Sequence, residues 1–383
     1  MSKQSHKATD PKVFAVVVTY NRPSLLAECL RALQRQTLSL AAIVVVDNAS
    51  TEDTVAALRQ EGYRMVEQEA AEGITFVVME AVEGPALLYY LRLPVNLGGA
   101  GGFYYGMQLA LMLGAEWLWL MDDDAEPAAD ALEQLWIAVA KHHAAAYGSL
   151  TRSARTGEIE PYHQCRLNLH SPLKQFLVPL MGEDLEHLSA VEVDQKSFVG
   201  LFVPRTTIDI VGLPKKEMFL HWDDTEYCLR IRQGGKIYLV PQSVIWHKDA
   251  VVKSGRVPYR IGFLRLMRYA RRDPYERYWL RYYTIRNMIW IAWRVAESRW
   301  ETLWRIAGQF VRSVVGILLF DDHRWRRLRL LWAMYRDGIR GDFSDLWKPR
   351  RILYGEHPPD AAAVASSVEQ FLNVVLRKKM ETV

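Results

Sequence analysis

Apolar and polar positions along the chain fall into two alternating patterns. Residues 12–20 (KVFAVVVTY) are β-branched and almost wholly apolar, as in a strand buried on both faces. After the turn residues Asn21-Arg22-Pro23-Ser24, the side chains Leu25, Leu26, Cys29, Leu30 and Leu33 recur at helical spacing. Residues 42–46 (AIVVV) predict a second buried strand, which ends at Asp47-Asn48, and Ser50 or Thr51 is placed to cap a helix through Leu58. This rhythm predicts an α/β fold with a mostly parallel sheet, in which ligands gather beyond the carboxyl ends of the strands. Thr19, Tyr20, Asp47 and Asn48 lie at such ends.

The pattern continues with strands over 74–79 and 86–93, readable as a hairpin, and a helix opening in 94–103 (PVNLGGAGGF) and running to Leu113. A further buried strand, 117–121 (WLWLM), stops abruptly at Asp122-Asp123-Asp124. A helix over 130–143 and a strand over 144–151 follow. Residues 152–192 read as an irregular insertion, a substrate-facing loop, and 193–204 as a strand broken by glycine. The run Trp222-Asp223-Asp224-Thr225-Glu226 opens a helix that stops at Gly234-Gly235, and strand-like stretches at 237–240 and 244–247 end in His247. Long helices are predicted over 278–320 and a basic one over 325–335. Asp360 is placed to cap a terminal helix whose Val364, Val368, Leu372 and Val375 share one face, a stripe expected to make a homo-oligomer contact.

At 383 residues and 50% hydrophobic, the chain can bury a large core. Cys29, Cys165 and Cys228 have no metal-binding spacing and form an odd set, which argues for a reducing compartment. The first residues are polar with no secretory pattern. No stretch reaches the roughly 18 uncharged apolar residues of a membrane span, the longest candidate being 313–320; the expectation is a cytoplasmic protein. The net charge of +4 hides an asymmetry: residues 251–351 hold 23 Lys/Arg against 9 Asp/Glu, while 1–250 hold 22 against 31. Opposite signs suggest an acidic catalytic or metal-binding body and a basic docking part.

Three adjacent carboxylates at a strand end suit a divalent cation, and oxygen ligation favours Mg²⁺ or Mn²⁺ over zinc; an acidic loop solvated at the strand end is the plainer alternative. Their mutual repulsion calls for a positive partner. Gly98, Gly99, Gly101 and Gly102 before a helix permit close approach of a phosphate, or simply tight helix packing. The run does not fit G-x-G-x-x-G, because Tyr104 takes the third glycine position, and no G-x-x-x-x-G-K occurs, which weakens dinucleotide and P-loop readings. One of Asp223 and Asp224 is accounted for by helix capping.

Five stretches in order, VVVTYNRP (16–23), VVDNAST (45–51), NLGGAGGF (96–103), WLMDDDAEP (119–127) and WDDTEYCLR (222–230) followed by His247, resemble the inverting glycosyltransferases of family two. That resemblance implies a GT-A nucleotide-diphosphosugar domain over 12–255 with the insertion inside it; composition adds a disordered stretch over 1–11, a basic Arg/Trp-rich helical region over 256–355 and a terminal helix and tail over 356–383. The glycine-rich element with W-D-D-x-E and a downstream His is most similar to bacterial galactofuranosyltransferases; rhamnosyltransferases using a deoxythymidine diphosphate donor share much of it. By the same resemblance, Thr19, Tyr20, Asp47, Asn96, Gly98, Gly99, Gly101, Gly102 and Asp123 line the donor, while Asp122, Asp124 and His247 hold Mn²⁺ or Mg²⁺. Asp224 is the general base, and Trp222, Asp223 and Glu226 shape the acceptor site.

The chemistry asks for the same groups. A nucleotide diphosphate leaving group gains charge that a cation stabilises, and inversion needs one base on the opposite face of the anomeric carbon. A non-catalytic nucleotide-sugar-binding scaffold has no need for that base. A nucleotidyltransferase would want a basic clamp near the glycine run, and 94–109 contain none. In the basic region, Trp290, Trp293, Trp300 and Trp304 lie among Arg286, Arg294, Arg299 and Arg305, a composition suited to a peripheral site on the inner face of a membrane; packing on the catalytic domain is the alternative. No nucleic-acid motif is present. The expected acceptor is a growing, lipid-linked glycan.

Overall fold

The structure is a computed structural model that describes residues 12–180, 185, 187–248 and 274–381. The expected disorder of 1–11 and the start of the basic region at 256–273 lie outside the described residues. The chain begins with β1 (Val13–Thr19), α1 (Pro23–Gln34), β2 (Ala42–Asp47) and α2 (Thr54–Gln60). Every residue of β1 and β2 is buried, as the two apolar runs require. Then come β3 (Tyr63–Ala71), β4 (Ile74–Ala81) and β5 (Leu87–Arg92), with β4 antiparallel to both neighbours. The β4–β5 hairpin was legible in the sequence. Strand β3 was not, because it forms the sheet edge and only Tyr63 of its nine residues is buried.

The next elements are α3 (Gly98–Met112), β6 (Trp117–Asp122), β7 (Ala125–Pro127), α4 (Ala131–Lys141) and β8 (Ala146–Ser153). The insertion is not irregular. It holds β9 (Gln164–Leu167), β10 (Leu177–Pro179) and β11 (Val191–Val193), and the strand order β10-β9-β12 makes a separate small sheet with β12 (Gln195–Lys196). Strands of two to four residues carry too short a pattern to be read from sequence. The domain closes with β13 (Leu201–Pro204), α5 (Arg205–Val211), α6 (Asp223–Gly234) and β14 (Ile237–His247).

The main sheet runs β11-β14-β8-β13-β6-β1-β2-β5-β4-β3, with β7 paired to β14. Its centre, β6-β1-β2-β5, is parallel, and β13 inserts antiparallel between β6 and β8. Register brings the chemistry together: Thr19 stands opposite Asp47, and Val18 opposite Asp122, so the carboxyl ends of three strands finish level. Helix α3 packs across these strands. A Cβ on Gly102 would lie 2.6 Å from Val18 Cγ1, and one on Gly106 would lie 2.5 Å from Val16 Cγ1, so these glycines set how closely the helix approaches the sheet.

The C-terminal region comprises α7 (Leu280–Val295), α8 (Arg299–Phe320), α9 (Arg324–Arg340), α10 (Lys348–Tyr354) and α11 (Ala361–Glu381). One expectation is corrected here. The stripe Val364, Val368, Leu372 and Val375 on α11 is buried within the chain's own core rather than left for a second subunit, and Lys216 anchors the helix through Glu369 at 2.8 Å. The apolar stretch at 313–320 belongs to α8, whose 22 residues are, by length and composition alone, enough to cross a membrane. The tryptophans divide: Trp290 and Trp293 pack against the core, whereas Trp300 and Trp304 are about three-quarters exposed.

Candidate active site

The acidic run sits where β6 ends beside β1. Its middle residue is committed to the protein: Asp123 Oδ2 accepts from Thr19 Oγ1 at 2.7 Å, and its Oδ1 accepts from Arg22 Nη1 at 3.2 Å. Arg22 also reaches Asp124 Oδ2 at 3.0 Å, and so is the positive partner that the repulsion demanded. In the sequence Arg22 reads only as a turn residue. Thr19 is therefore occupied with Asp123, and Tyr20 beside it is exposed at the mouth of the site. Burial, with Asp124 and Asp123 adding repulsion, pushes Asp122 up to about 7; burial likewise raises Asp123, to about 6, against Thr19 and Arg22. Burial also works against the charge of Asp124, but His247 and Arg22 outweigh it and hold that carboxyl below its usual range.

His247, at the end of β14, is brought to the same place. Its Nε2 lies 3.3 Å from Asp124 Oδ1, and its Nδ1 lies 2.8 Å from Glu160 Oε2. The contact with Asp124 is not a hydrogen bond of ordinary geometry, so Asp124 Oδ1 is a buried oxygen without one. Glu160 Oε2 also meets His163 Nε2 at 3.0 Å, and His163 Nδ1 meets Ser197 Oγ at 2.7 Å. Burial lowers the His247 pKa, but Asp124 and Glu160 reverse this and carry it to about 9. Burial opposes ionisation of Glu160 too, yet the two histidines hold its carboxyl below the usual range. Glu160, His163 and His247 form a group compact enough to hold a metal ion. Glu160 and His163 were missed because they sit in the insertion, with no motif of their own.

The donor set fits a divalent cation. Asp122 makes no side-chain hydrogen bond among the described residues, Asp124 keeps Oδ1 unbonded, and His247 presents Nε2 to it, whereas both oxygens of Asp123 are taken. Two carboxylates and one imidazole tilt the preference from Mg²⁺ toward Mn²⁺.

The other predicted donor residues have more varied surroundings. Asp47 is fully buried and accepts from Ser50 N at 2.7 Å, Thr54 Oγ1 at 2.6 Å and Tyr90 OH at 2.8 Å, so its carboxylate folds the loop after β2. Asn96 Oδ1 accepts from Gly98 N at 2.8 Å and opens α3. Gly98, at φ +74°, lies so close to Phe219 that a Cβ would stand 2.0 Å from its carbonyl oxygen. Gly101 and Gly102 likewise face protein, namely Leu97 and Val18. Only Gly99 of the four looks onto nearly open space, with Leu220 Cδ1 at 3.9 Å. Most of the glycine run thus serves close packing.

Asp224 begins α6. Its Oδ2 accepts from Gln195 Nε2 at 3.2 Å, and its Oδ1 accepts from Thr225 N at 2.6 Å. Burial raises its pKa despite these donors. The Gln195 that holds it comes from β12, which Cys228 ties to α6 by accepting from Lys196 N at 3.4 Å and donating to Lys196 O at 3.2 Å. Asp223 is buried, and burial together with Asp224 raises its pKa well above the usual range. Trp222 stacks on Phe176 of the insertion at 5.7 Å. Glu226 does not line an open face: both its oxygens are held by Arg230, at 2.9 and 2.8 Å, and its carboxylate braces α6.

Level strand ends, a carboxylate pair with imidazole, and a separate carboxylate on another helix form an arrangement with relatives. Residues 14–180 match Glycosyl transferase family 2. The chain carries a family 2 glycosyltransferase domain. It is 32% identical over 235 residues to galactofuranosyltransferase GlfT1 of Mycolicibacterium smegmatis, covering 58% of this chain and 66% of that protein. With galactofuranosyltransferase GlfT1 of Mycobacterium tuberculosis it shares 30% identity over 232 residues, covering 58% and 65%. The chain thus spans slightly less than two thirds of the length of these curated relatives. A solved structure of GalNAc-T7 with UDP, GalNAc and Mn²⁺ superposes with a TM-score of 0.51 at 14% identity, over 89% of this chain and 58% of that one, a likeness of fold. The family 2 domain has the GT-A fold, followed here by the helical region.

Proposed function

We propose that the chain is a metal-dependent, inverting glycosyltransferase that moves galactofuranose from UDP-galactofuranose to a hydroxyl of a growing, lipid-linked glycan. The observation that carries the reading is the separation of two acidic centres. The strand-end centre has Asp122, without a side-chain hydrogen bond among the described residues, and the unbonded Asp124 Oδ1 beside His247, while the Asp224 carboxylate stands on a different element, at the start of α6, bonded to Gln195 and Thr225. Displacement with inversion needs this division. Asp224 accepts the acceptor's hydroxyl proton as the new C–O bond forms at the anomeric carbon, and the opposite C–O bond breaks with its electrons leaving on the diphosphate. The raised pKa of Asp224 brings the base nearer to neutral pH, where general-base assistance is most effective. Asp122, Asp124 and His247 would hold the Mn²⁺, which when bound neutralises charge on the leaving diphosphate. Trp222, backed by the buried Phe176, offers an aromatic face to the acceptor. The choice of sugar rests on the GlfT1 relatives.

The same reading places the enzyme at the inner face of the plasma membrane. Helix α8 exposes Trp300, Trp304, Val311, Leu318 and Leu319, and α9 adds Trp325 and Trp332. Exposed Arg299, Arg312 and Arg324 interleave with them, which suits tryptophan at headgroup depth and guanidinium on anionic lipid.

A panel of nucleotide sugars with Mn²⁺, read first by thermal stabilisation and then by transfer, tests the activity. UDP-galactofuranose should stabilise the fold, by about 2.7 kcal/mol at 100 times its dissociation constant. Asp224→Asn should keep that stabilisation and lose transfer, while Asp124→Ala should lose the metal-dependent part of it. Preference for deoxythymidine diphosphate rhamnose would replace the sugar and keep the mechanism; turnover by Asp224→Asn at the wild-type rate would remove the mechanism.

A further inference from the structure

The turn that leads into α6 is strained. Phe219, His221 and Trp222 take φ values of +66°, +65° and +68°, in the left-handed region that bulky side chains avoid. Such conformations persist only where surrounding structure over-determines them. These three lie immediately before Asp223 and Asp224, so whatever holds the turn also sets where Asp224 points.

What holds it is the C-terminal region. Asn287 of α7 is fully buried, and its Nδ2 lies 3.0 Å from Met218 O, 3.2 Å from Leu220 O and 2.9 Å from His221 O. Two amide hydrogens are thus shared among three carbonyls of the turn. The Asn287 Oδ1 accepts from Arg286 Nε at 2.9 Å, which fixes the amide with its donors toward the turn. Arg286, also fully buried, donates through Nη2 to Glu217 O at 2.9 Å and to Met218 O at 3.1 Å. The Phe219 ring stacks on Tyr283 of α7 at 4.4 Å, while the Phe219 carbonyl accepts from Ala100 N at 3.1 Å in the first turn of α3. One short turn is therefore bonded to the glycine-rich helix entry on one side and to α7 on the other. These contacts give α7 a part in the site that its Arg/Trp composition does not suggest.

We infer that Asn287 is a positioning residue for the reaction: its amide clasps the carbonyls of residues 218–221 and so presents Trp222 and Asp224 to the acceptor. This rests on the reading of Asp224 as the base. Without the clasp, the carbonyls of Leu220 and His221 lose their Asn287 donor while Met218 O keeps Arg286, and the turn relaxes from its left-handed conformations toward ones that water can satisfy.

The test compares wild type with Asn287→Leu, which keeps the side-chain bulk and removes the donors, and Asn287→Ser, which keeps one donor. Amide hydrogen exchange is followed at 217–224 and, as reference, in β1 at 13–19. Exchange at 217–224 should quicken by about tenfold or more in the Leu variant and less in the Ser variant, with β1 unchanged. Affinity for UDP with Mn²⁺ should stay within about twofold while kcat falls by about 10- to 100-fold, since a misplacement of about 1 Å can cost that much. Wild-type exchange and kcat in Asn287→Leu would overturn the inference, as would equal loss of protection at β1 and at 217–224 in both variants. If wild type transfers no sugar, the reading of Asp224 fails on its own, and the exchange comparison still decides whether Asn287 holds the turn.

Discussion

Glu160 Oε2 lies 2.8 Å from His247 Nδ1, so the opposite nitrogen of the ring is the one turned toward Asp124. A carboxylate behind a ligand imidazole fixes its tautomer and raises its basicity. Glu160 stands in the insertion, far in sequence from either partner, and the insertion is thereby part of the proposed metal site rather than a cover over it. Glu160→Gln should weaken Mn²⁺ binding by about 10- to 100-fold, the range found for partners of this kind. Calorimetric titration of Mn²⁺ with UDP present checks it; unchanged affinity would leave Glu160 a purely structural contact to His163.

The pH dependence of transfer follows from Asp224. Burial raises its pKa above the ordinary carboxylate range, with the donors from Thr225 and Gln195 acting in the opposite direction. As the proposed base it works deprotonated, so kcat/KM should be lost as pH falls through that raised value. Gln195→Leu removes a donor to the ionised form and should move the acid limb to higher pH. A pH–rate profile decides it, and a limb at the same position in both proteins would separate Gln195 from the base.

Gly102 sets how closely α3 approaches the strand ends. Alanine there would place its Cβ 2.6 Å from Val18 Cγ1, and valine in a strand has little rotamer freedom to retreat. Gly102→Ala should cost about 1–3 kcal/mol in urea unfolding. A cost near zero would mean that α3 can shift away from the sheet.

Trp300 and Trp304 are exposed at 75% and 74%. Wild-type protein should sediment with anionic liposomes in a salt-sensitive manner, and the double change to alanine should weaken sedimentation while leaving thermal stability nearly unchanged. Equal sedimentation of both proteins would remove these tryptophans from the proposed membrane contact.

Much of the fold was legible along the chain. Unbroken β-branched runs announced β1 and β2, and the acids following the run at 117–121 announced the carboxyl end of β6, because a strand buried on both faces admits no polar residue until it leaves the sheet. The same logic located Asp224 at a helix start and His247 at a strand end. Edge strand β3 and the two- to four-residue strands of the insertion escaped, since neither buries enough apolar surface to leave a periodic trace.

By itself, then, the sequence determined which acids stand at strand and helix ends, and therefore which groups are available for metal and proton chemistry. The tertiary structure decided which of them are free to act. Asp123 is tied to Thr19 and Arg22, Asp47 to Ser50, Thr54 and Tyr90, and Glu226 to Arg230, leaving Asp122, Asp124 Oδ1 and the partly shielded Asp224. It also brought Arg22, Glu160, Gln195 and Asn287 to the site. The physical reason is that hydrogen bonds between groups some 30 to 100 residues apart leave no local period in a sequence, although a buried polar atom cannot do without them.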